Sequence, residues 1–157
     1  MPSNKQKEWV DWLENVKVLQ KAVIVDEEGN VLILRRAKDR PGARAGMSDL
    51  VGGSMSKEDV ASEGIPPHEG AIKREVEEET GLKIEKIKIV FVGSGKKVNK
   101  AGKNVLILAL GYKCKVKGVK PIVKLSEEHP ESWWTTKEEV LKIDFGDEGL
   151  HKIIESV

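Results

Sequence analysis

The sequence predicts an α/β domain in which helices cover both sides of a mixed β-sheet. Short apolar runs at residues 22–25 and 31–34 are typical of buried strands. Residues 66–80 have the pattern of an amphipathic helix, and a glycine follows them. Strand-like and helix-like segments alternate again towards the C-terminus. With 157 residues the chain has the length of one domain, and we expect a single domain over residues 1–157.

The first predicted element is an N-terminal helix over about residues 8–18. Apolar residues at Trp9, Trp12, Leu13 and Val16 recur at helical spacing. We expect this helix to pack on the domain or on a second subunit, which leaves a homodimer open. The alternative is that its tryptophans stack on a substrate.

A β-hairpin is predicted next, because the strands 22–25 and 31–34 flank an acidic turn that contains Gly29. A loop punctuated by proline and glycine then leads to the pair Gly52–Gly53. Four arginines in this region are candidate phosphate ligands, since a guanidinium can bind phosphate through two hydrogen bonds. The alternative is that they are solvated loop residues. They are Arg35, Arg36, Arg40 and Arg44.

The central helix is predicted to begin at Pro66–Pro67 and to end at Gly81, because proline suits a first helical turn and glycine a helix end. Its last turns carry four carboxylates in five positions. Anionic side chains are unfavourable near a helix C-terminus, where the backbone has partial negative charge. Glu75 also lies one turn from both Glu78 and Glu79, so three like charges share one face. A divalent cation such as Mg²⁺ or Mn²⁺ would offset this repulsion.

The alternative is that these glutamates form a solvated acidic face. Two features favour the metal site. Arg74 lies one turn before Glu78 and can hold its carboxylate in position. Ile72 and Val76 form an apolar pair on the helix, which predicts that one of its faces is anchored in a core.

Beyond the helix, one or two strands are predicted within residues 84–92, followed by a glycine- and lysine-rich connection over residues 93–103. Residues 105–116 predict a long strand. Its continuous apolar start, residues 105–110, predicts burial on both faces.

The C-terminal part contains an acidic loop over residues 126–131, a short strand over 132–135 and a helix that Thr136 can cap, with Glu139 at its third position. A last helix is predicted over residues 148–155. Strand alternation predicts that one of Trp133 and Trp134 faces the core and the other faces outward. We take Trp134 as the candidate that stacks on a base, with surface packing as the alternative.

Composition limits the possible partners and location. The net charge is +1, so no global field indicates nucleic acid or an anionic membrane as a partner. No apolar run has membrane-spanning length, and the first residues lack the apolar segment of a secretion signal. Cys114 is the single cysteine, which excludes a disulfide framework within the chain. We expect a soluble cytoplasmic protein that does not bind membranes and for which nucleic acid is not the favoured partner.

Residues 74–82 resemble the second half of the signature of Nudix hydrolases, which cleave nucleoside diphosphates linked to another group. The fixed places are filled by Arg74, Glu75, Val76, Glu78, Glu79, Gly81 and Leu82. The glycine pair of the first half matches Gly52–Gly53, and the resemblance implies an α/β/α sandwich.

The loop of this signature is longer here than in the family pattern. Asp59 stands where a glutamate is expected after the glycine pair, and seven additional residues then precede Arg74. Counting back from Arg74 places Pro66 at that position instead. We expect residues 54–65 to lie at the rim of the site and to influence substrate choice rather than chemistry.

The resemblance implies a role for each signature residue. Glu75, Glu78 and Glu79, with the backbone carbonyl of Gly52, would bind Mg²⁺ or Mn²⁺. Arg74 would orient the carboxylates. For the general base two possibilities stay open. One is Glu78 or Glu75 of the helix, and the other is Glu127 or Glu128 of the acidic loop.

The function implied is metal-dependent hydrolysis of a nucleoside triphosphate or a small dinucleotide. Alternatives within the fold are pyrophosphatases acting on ADP-ribose, nucleotide sugars or capped RNA. A catalytically silent module that binds nucleotides is less favoured, because binding alone does not require three mutually repelling glutamates. Diphosphate isomerisation would need a reactive cysteine, and Cys114 lies in a predicted buried strand.

Overall fold

The structure is a computed structural model that describes residues 12–157. Seven strands form one sheet in this part of the chain. They are β1 (Val16–Val25), β2 (Val31–Arg35), β3 (Ser48–Asp49), β4 (Val51–Ser54), β5 (Glu85–Val98), β6 (Asn104–Lys115) and β7 (Glu131–Thr135). The helices that follow β4 are α1 (Lys57–Ala61), α2 (Pro67–Thr80), α3 (Lys137–Val140) and α4 (Glu148–Glu155).

The sheet is mixed, as predicted. Its strand order is β3-β2-β1-β6-β5, with β4 also paired to β1 and β7 also paired to β2. β1 and β6 run parallel. The other pairs are antiparallel. Because β1 contacts both β4 and β6, it connects the glycine pair to the long β5–β6 hairpin.

Helices cover both faces of this sheet, which confirms the α/β/α sandwich. On one face, Ile72 and Val76 of α2 pack in a core with buried residues such as Tyr112. On the other face, Val140 of α3 and Ile154 of α4 pack in a second core. Alternate side chains of β1 and β2 enter opposite cores, as the period of a strand requires.

The predicted N-terminal helix is wrong at its C-terminal end. Residues 12–14 are helical, but β1 already begins at Val16. Residues 16–18 pair with residues 106–108 of β6, so sheet pairing overrides the helical spacing of the apolar residues. Residues 8–11 of the predicted helix lie outside the described residues.

The β5–β6 hairpin is longer than predicted. Residues 93–98, interpreted from sequence as a connection, continue β5 and pair with residues 104–109. Residues 105–110 are only partly buried, so the prediction of burial on both faces is wrong for them. Their partner β5 is the edge strand, and an edge strand tolerates the lysines and glycines that disguised it.

The central helix is confirmed over its predicted length. α2 runs from Pro67 to Thr80. Gly81 ends it in the left-handed conformation, with φ of 70°, which glycine adopts without steric cost. The predicted cap of α3 is also present, since Thr136 Oγ1 accepts a hydrogen bond from the backbone N–H of Glu139. Within residues 12–157, the helices are all too short or too polar to cross a membrane.

Candidate active site

A cleft of about 400 Å³ lies between β4, α2 and the acidic loop before β7. It brings together the predicted glycine pair, the three signature glutamates and one of the two loop glutamates. Its lining consists of Gly52, Gly53, Ser54, Glu75, Glu78, Glu79, Ser126 and Glu128. Glu127 is exposed and is not among these lining residues.

The glycine pair allows the backbone of β4 to lie against its neighbours. A Cβ atom on Gly53 would be 2.8 Å from the carboxylate of Glu75, and one on Gly52 would be 2.0 Å from the carbonyl oxygen of Gln20. Gly52 also has φ of 143°, which other residues rarely adopt. Both positions therefore require glycine for the cleft to keep its shape.

Arg74 organises the exposed side of α2. Its Nε and Nη2 donate to the two oxygens of Asp59 at 2.8 and 2.9 Å. Its Nη1 donates to Glu78 Oε2 at 3.0 Å, and Nη2 also donates to Glu75 Oε1 at 3.1 Å. One guanidinium thus holds three carboxylates, a geometry suited to orienting Glu75 and Glu78. We refer to Arg74, Asp59, Glu75 and Glu78 as the arginine side.

Asp59, one of the two possibilities left open by the sequence, is the residue that meets Arg74. The longer loop folds into α1, and Asp59 closes a capping box with Ser56 at the start of that helix. Hydrogen bonds from Arg74 outweigh the effect of burial and lower the pKa of Asp59 to about 2. Pro66 instead forms the N-cap of α2.

Glu79 lies on the opposite, buried side of the same helical turn. Its side chain is 7% exposed, against 58% for the neighbouring Glu78. Oε1 accepts a hydrogen bond from the backbone N–H of Gly52 at 3.2 Å. Burial, reinforced by the charge of Glu75 and opposed by that of Lys21, raises the pKa of Glu79 to about 8.

His129 separates Glu79 from a second buried carboxylate. Its Nδ1 lies 3.2 Å from Glu79 Oε2 without the alignment of a hydrogen bond, and its Nε2 lies 3.4 Å from Asp49 Oδ2. His129 is buried, although its position in an acidic loop suggested an incidental residue. We refer to Glu79, Gly52, His129 and Asp49 as the buried side.

Asp49 is fully buried and is surrounded by cations. Its carboxylate lies 3.1 Å from Lys21 Nζ, 3.2 Å from Arg44 Nη2 and 3.4 Å from Arg36 Nη1. Burial raises the pKa of Asp49, but the hydrogen bond to His129 and the charges of Lys21 and Arg44 outweigh it and hold the pKa well below its usual range. Sequence reasoning missed this cluster. Its one local signal was the position of Asp49 just before the Leu-Val-Gly-Gly run.

The four candidate arginines have different partners. Arg36 and Arg44 bind Asp49, and Arg35 binds Glu131 at 3.1 Å while lying over the ring of Trp133. Arg40 pairs with Glu128 at 3.2 Å, which places it beside the cleft.

Trp133 and Trp134 point to opposite faces of the sheet, as alternation requires, but neither faces outward. Trp134 packs against the core under α2, and its indole N–H donates to the carbonyl of Pro121 at 3.2 Å. Trp133 packs against the core under α3 and α4. The expectation of an outward tryptophan is wrong because helices cover both faces.

A smaller cavity of about 150 Å³ adjoins the cleft at Gly53. Phe91, Leu150 and Ile153 give it an apolar lining, and Lys21 and Arg44 bring positive charge to it. The combination suits a ligand with one apolar, planar part and one anionic part.

Within residues 12–157, no three histidine, cysteine or acidic side chains converge closely enough to hold a metal ion. Arg74 draws Glu78 to one side, and Gly52 holds Glu79 on the other. The donor set nevertheless fits a divalent cation. Glu79 Oε2 is buried without a hydrogen-bond partner, and hard carboxylate oxygens are the ligands that Mg²⁺ and Mn²⁺ prefer.

Cys114 is buried, and burial raises the pKa of its thiol to about 12. A thiol in that state is a poor nucleophile. Its position agrees with the expectation from sequence and gives no support to an isomerase that depends on a reactive cysteine.

Comparison with solved structures identifies relatives of the whole fold. The MutT protein from Methanosarcina mazei Go1 is 25% identical, with a TM-score of 0.62 over 90% of this chain and 91% of that one. A MutT NUDIX hydrolase from Burkholderia pseudomallei is 22% identical, with a TM-score of 0.60 over 91% and 98%. The NUDIX domain of Shewanella oneidensis NrtR, complexed with ADP ribose, is 15% identical, with a TM-score of 0.60 over 90% and 86%.

A comparison with curated proteins gives no match. The family profile described as NUDIX domain, in contrast, matches residues 20–157, which include β4, α2 and the whole cleft. The chain therefore belongs to the Nudix family and is a Nudix hydrolase.

Proposed function

We propose that this protein hydrolyses a phosphoanhydride bond of a nucleoside triphosphate or a small dinucleotide, with Mg²⁺ or Mn²⁺ as its cofactor. The observation that carries the proposal is Glu79, a buried carboxylate with one unpartnered oxygen at the wall of an acidic cleft. Such a group costs stability unless a ligand compensates it. A divalent cation is the ligand that best fits its charge and its oxygen donors.

In this proposal Glu75, Glu78 and Glu79 hold the metal, together with the carbonyl oxygen of Gly52. The bound ion would neutralise phosphate oxygens that otherwise repel a nucleophile. Arg74 keeps Glu75 and Glu78 aimed at the cleft, and Asp59 in turn fixes Arg74. The absence of Cβ atoms at Gly52 and Gly53 lets a phosphate approach the backbone.

We assign the general base to Glu128. It lines the cleft with the signature glutamates, and its carboxylate is held by Arg40. From there it can accept the proton of a water molecule that attacks phosphorus. Glu78 and Glu75 remain the alternatives, while Glu127 is not among the residues that line the cleft.

The nucleoside part of the substrate fits the smaller cavity beside Gly53. Phe91 offers an aromatic surface to a base, and Leu150 and Ile153 exclude water from it. Lys21 and Arg44 reach the same cavity and are held there by Asp49. Trp134 is packed away from this cavity, so we no longer propose it as the stacking residue.

The test is a panel of substrates incubated with Mg²⁺, with Mn²⁺ and with a chelator, followed by measurement of released phosphate and pyrophosphate. The panel contains nucleoside triphosphates, dinucleoside polyphosphates, ADP-ribose, nucleotide sugars and capped RNA. We expect metal-dependent release, fastest from a triphosphate or a dinucleotide. ADP-ribose as the best substrate would support the second candidate, which the complexed Shewanella domain suggests. Nucleotide binding without hydrolysis of any substrate would contradict the proposal and indicate a silent module.

A further inference from the structure

The near-neutral net charge of this chain conceals a strong separation of charge along it. Residues 82–125 contain twelve lysines and a single acidic residue, Glu85. This segment therefore carries a net charge of +11, although the whole chain carries +1. Local charge of this size creates a field that the total charge does not reveal.

Six of these lysines line two depressions where β5 begins and β6 ends, of about 370 and 380 Å³. We call them the lysine surface: Lys83, Lys86, Lys88, Lys113, Lys115 and Lys117. Lys88 and Lys113 are directly opposite each other in the strand register. Like charges in that position destabilise a sheet.

The chain does not compensate this charge internally. Within residues 12–157, no lysine of the surface forms an ion pair with a carboxylate. Lys86 and Lys120, the latter in the adjoining loop, are also the two non-glycine residues with positive φ in that part of the chain. Backbone strain of this kind persists where surrounding contacts or function require it.

The loop that follows β6 presents an aliphatic side chain beside the lysine surface. Ile122 is 94% exposed, and Val119 is 48% exposed. Their exposure does not come from slack chain. The Lys120 backbone N–H donates to Asp26, and the Pro121 carbonyl accepts from Trp134. Val123 packs against the core, so Ile122 is held outward between anchored neighbours.

We propose that the lysine surface and the Ile122 loop dock this protein on an anionic phospholipid bilayer. The lysines would contact lipid phosphates, and Ile122 would enter the boundary between headgroups and acyl chains. A cationic surface with an adjoining exposed aliphatic residue is the combination that binds such interfaces.

Protection of the sheet edge and binding of nucleic acid each account for less of the lysine surface. Lysines on an edge strand discourage pairing with another sheet, but this explains neither Ile122 nor the lysines of the loop. Nucleic acid is less favoured, because residues 82–125 contain no arginine, and their aromatic residues, Phe91 and Tyr112, pack in the two cores. Proteins that bind single strands use exposed aromatic rings for stacking.

The test is sedimentation of the full-length protein with vesicles of phosphatidylcholine alone, or mixed equally with phosphatidylglycerol. The wild type should bind the mixed vesicles and not the neutral ones. The triple variant Lys86→Glu, Lys88→Glu, Lys115→Glu should bind at least tenfold more weakly, since each lysine near an anionic surface contributes roughly fivefold. Ile122→Ser should weaken binding about threefold to tenfold by removing the inserted side chain.

A matched control changes net charge equally at the turn of the β5–β6 hairpin, with Lys97→Glu, Lys100→Glu and Lys103→Glu. It should bind at least threefold more tightly than the first triple variant. Equal losses in both triple variants would overturn the proposal, as would absence of binding to mixed vesicles.

A labelled single-stranded RNA of about twenty nucleotides distinguishes the other partner. Binding to RNA that the first triple variant abolishes, with Ile122→Ser vesicle binding unchanged, would also overturn the proposal. None of the altered residues lines the catalytic cleft, so nucleotide hydrolysis in solution should be unchanged in every variant. The result therefore does not depend on which substrate the cleft hydrolyses.

Discussion

The arginine side and the buried side of α2 treat neighbouring carboxylates in opposite ways. Glu75, Glu78 and Asp59 share the charge of Arg74, and Glu78 remains largely exposed. Glu79 has no comparable cation: it is buried, it keeps one unpartnered oxygen, and its pKa rises to about 8. Residues adjacent in sequence thus have different tasks. The arginine side fixes geometry, and the buried side holds the charge that a metal would satisfy.

The largest expected effect comes from replacing the uncompensated carboxylate. Glu79→Gln should lower kcat by on the order of a thousandfold, because a neutral amide cannot supply the charge that this chemistry requires. Steady-state kinetics with the best substrate measures this. Glu77→Gln is the matched control, since Glu77 is exposed on the same helix and is not among the residues that line the cleft. Comparable kcat in the two variants would show that the buried side has no special role.

The loop across the cleft provides the second test. Glu128→Gln should lower kcat by roughly a hundredfold or more with little change in KM, as expected for loss of a general base. Glu127→Gln should retain nearly normal kcat, because Glu127 is exposed and does not line the cleft. If the two variants behave alike, the base lies on the helix, with Glu78 and Glu75 as the candidates.

The arginine side should respond with smaller losses of both rate and stability. Asp59→Asn removes a carboxylate that receives two hydrogen bonds from Arg74, so kcat should fall about tenfold. The free energy of unfolding should fall by about 1.5–3 kcal/mol, the usual contribution of a hydrogen bond to a charged group. Kinetics and denaturant unfolding measure these changes. A variant with normal activity and stability would show that α1 merely fills the longer loop.

The two sides should also differ in how stability depends on pH. In the metal-free protein, Glu79 is protonated up to about pH 8, whereas it ionises near pH 4.5 in the unfolded chain. Unfolding then releases a proton, so stability should fall as pH rises from about 4.5 to 8. Asp59 has the opposite sign, and its contribution should be lost as pH falls from about 4 towards 2. Thermal unfolding across pH measures both, and Glu79→Gln should remove only the loss at high pH.

Local chemistry made α2 predictable. Pro67 and Gly81 mark its ends through backbone geometry that neighbouring residues hardly alter. The repelling glutamates beside them predicted the acidic cleft for the same local reason.

The buried side depends on long-range contacts that periodicity does not encode. His129 meets Asp49, eighty positions earlier in the chain, and Glu79 is buried only because the loop of His129 folds over it. The same limit explains the error in β5. Its distal half reads as a connection, and pairing with β6 alone makes it a strand.

The most direct test of the account is thermal unfolding of the metal-free protein at pH 8 during titration with Mn²⁺. The wild type should gain several degrees in Tm, because a cation that binds only the folded state stabilises it. Glu77→Gln should behave like the wild type. Glu79→Gln should start with a Tm equal to or higher than that of the wild type and should gain little on titration. An equal gain in all three proteins, or none in the wild type, would contradict the assignment of Glu79 to a metal site.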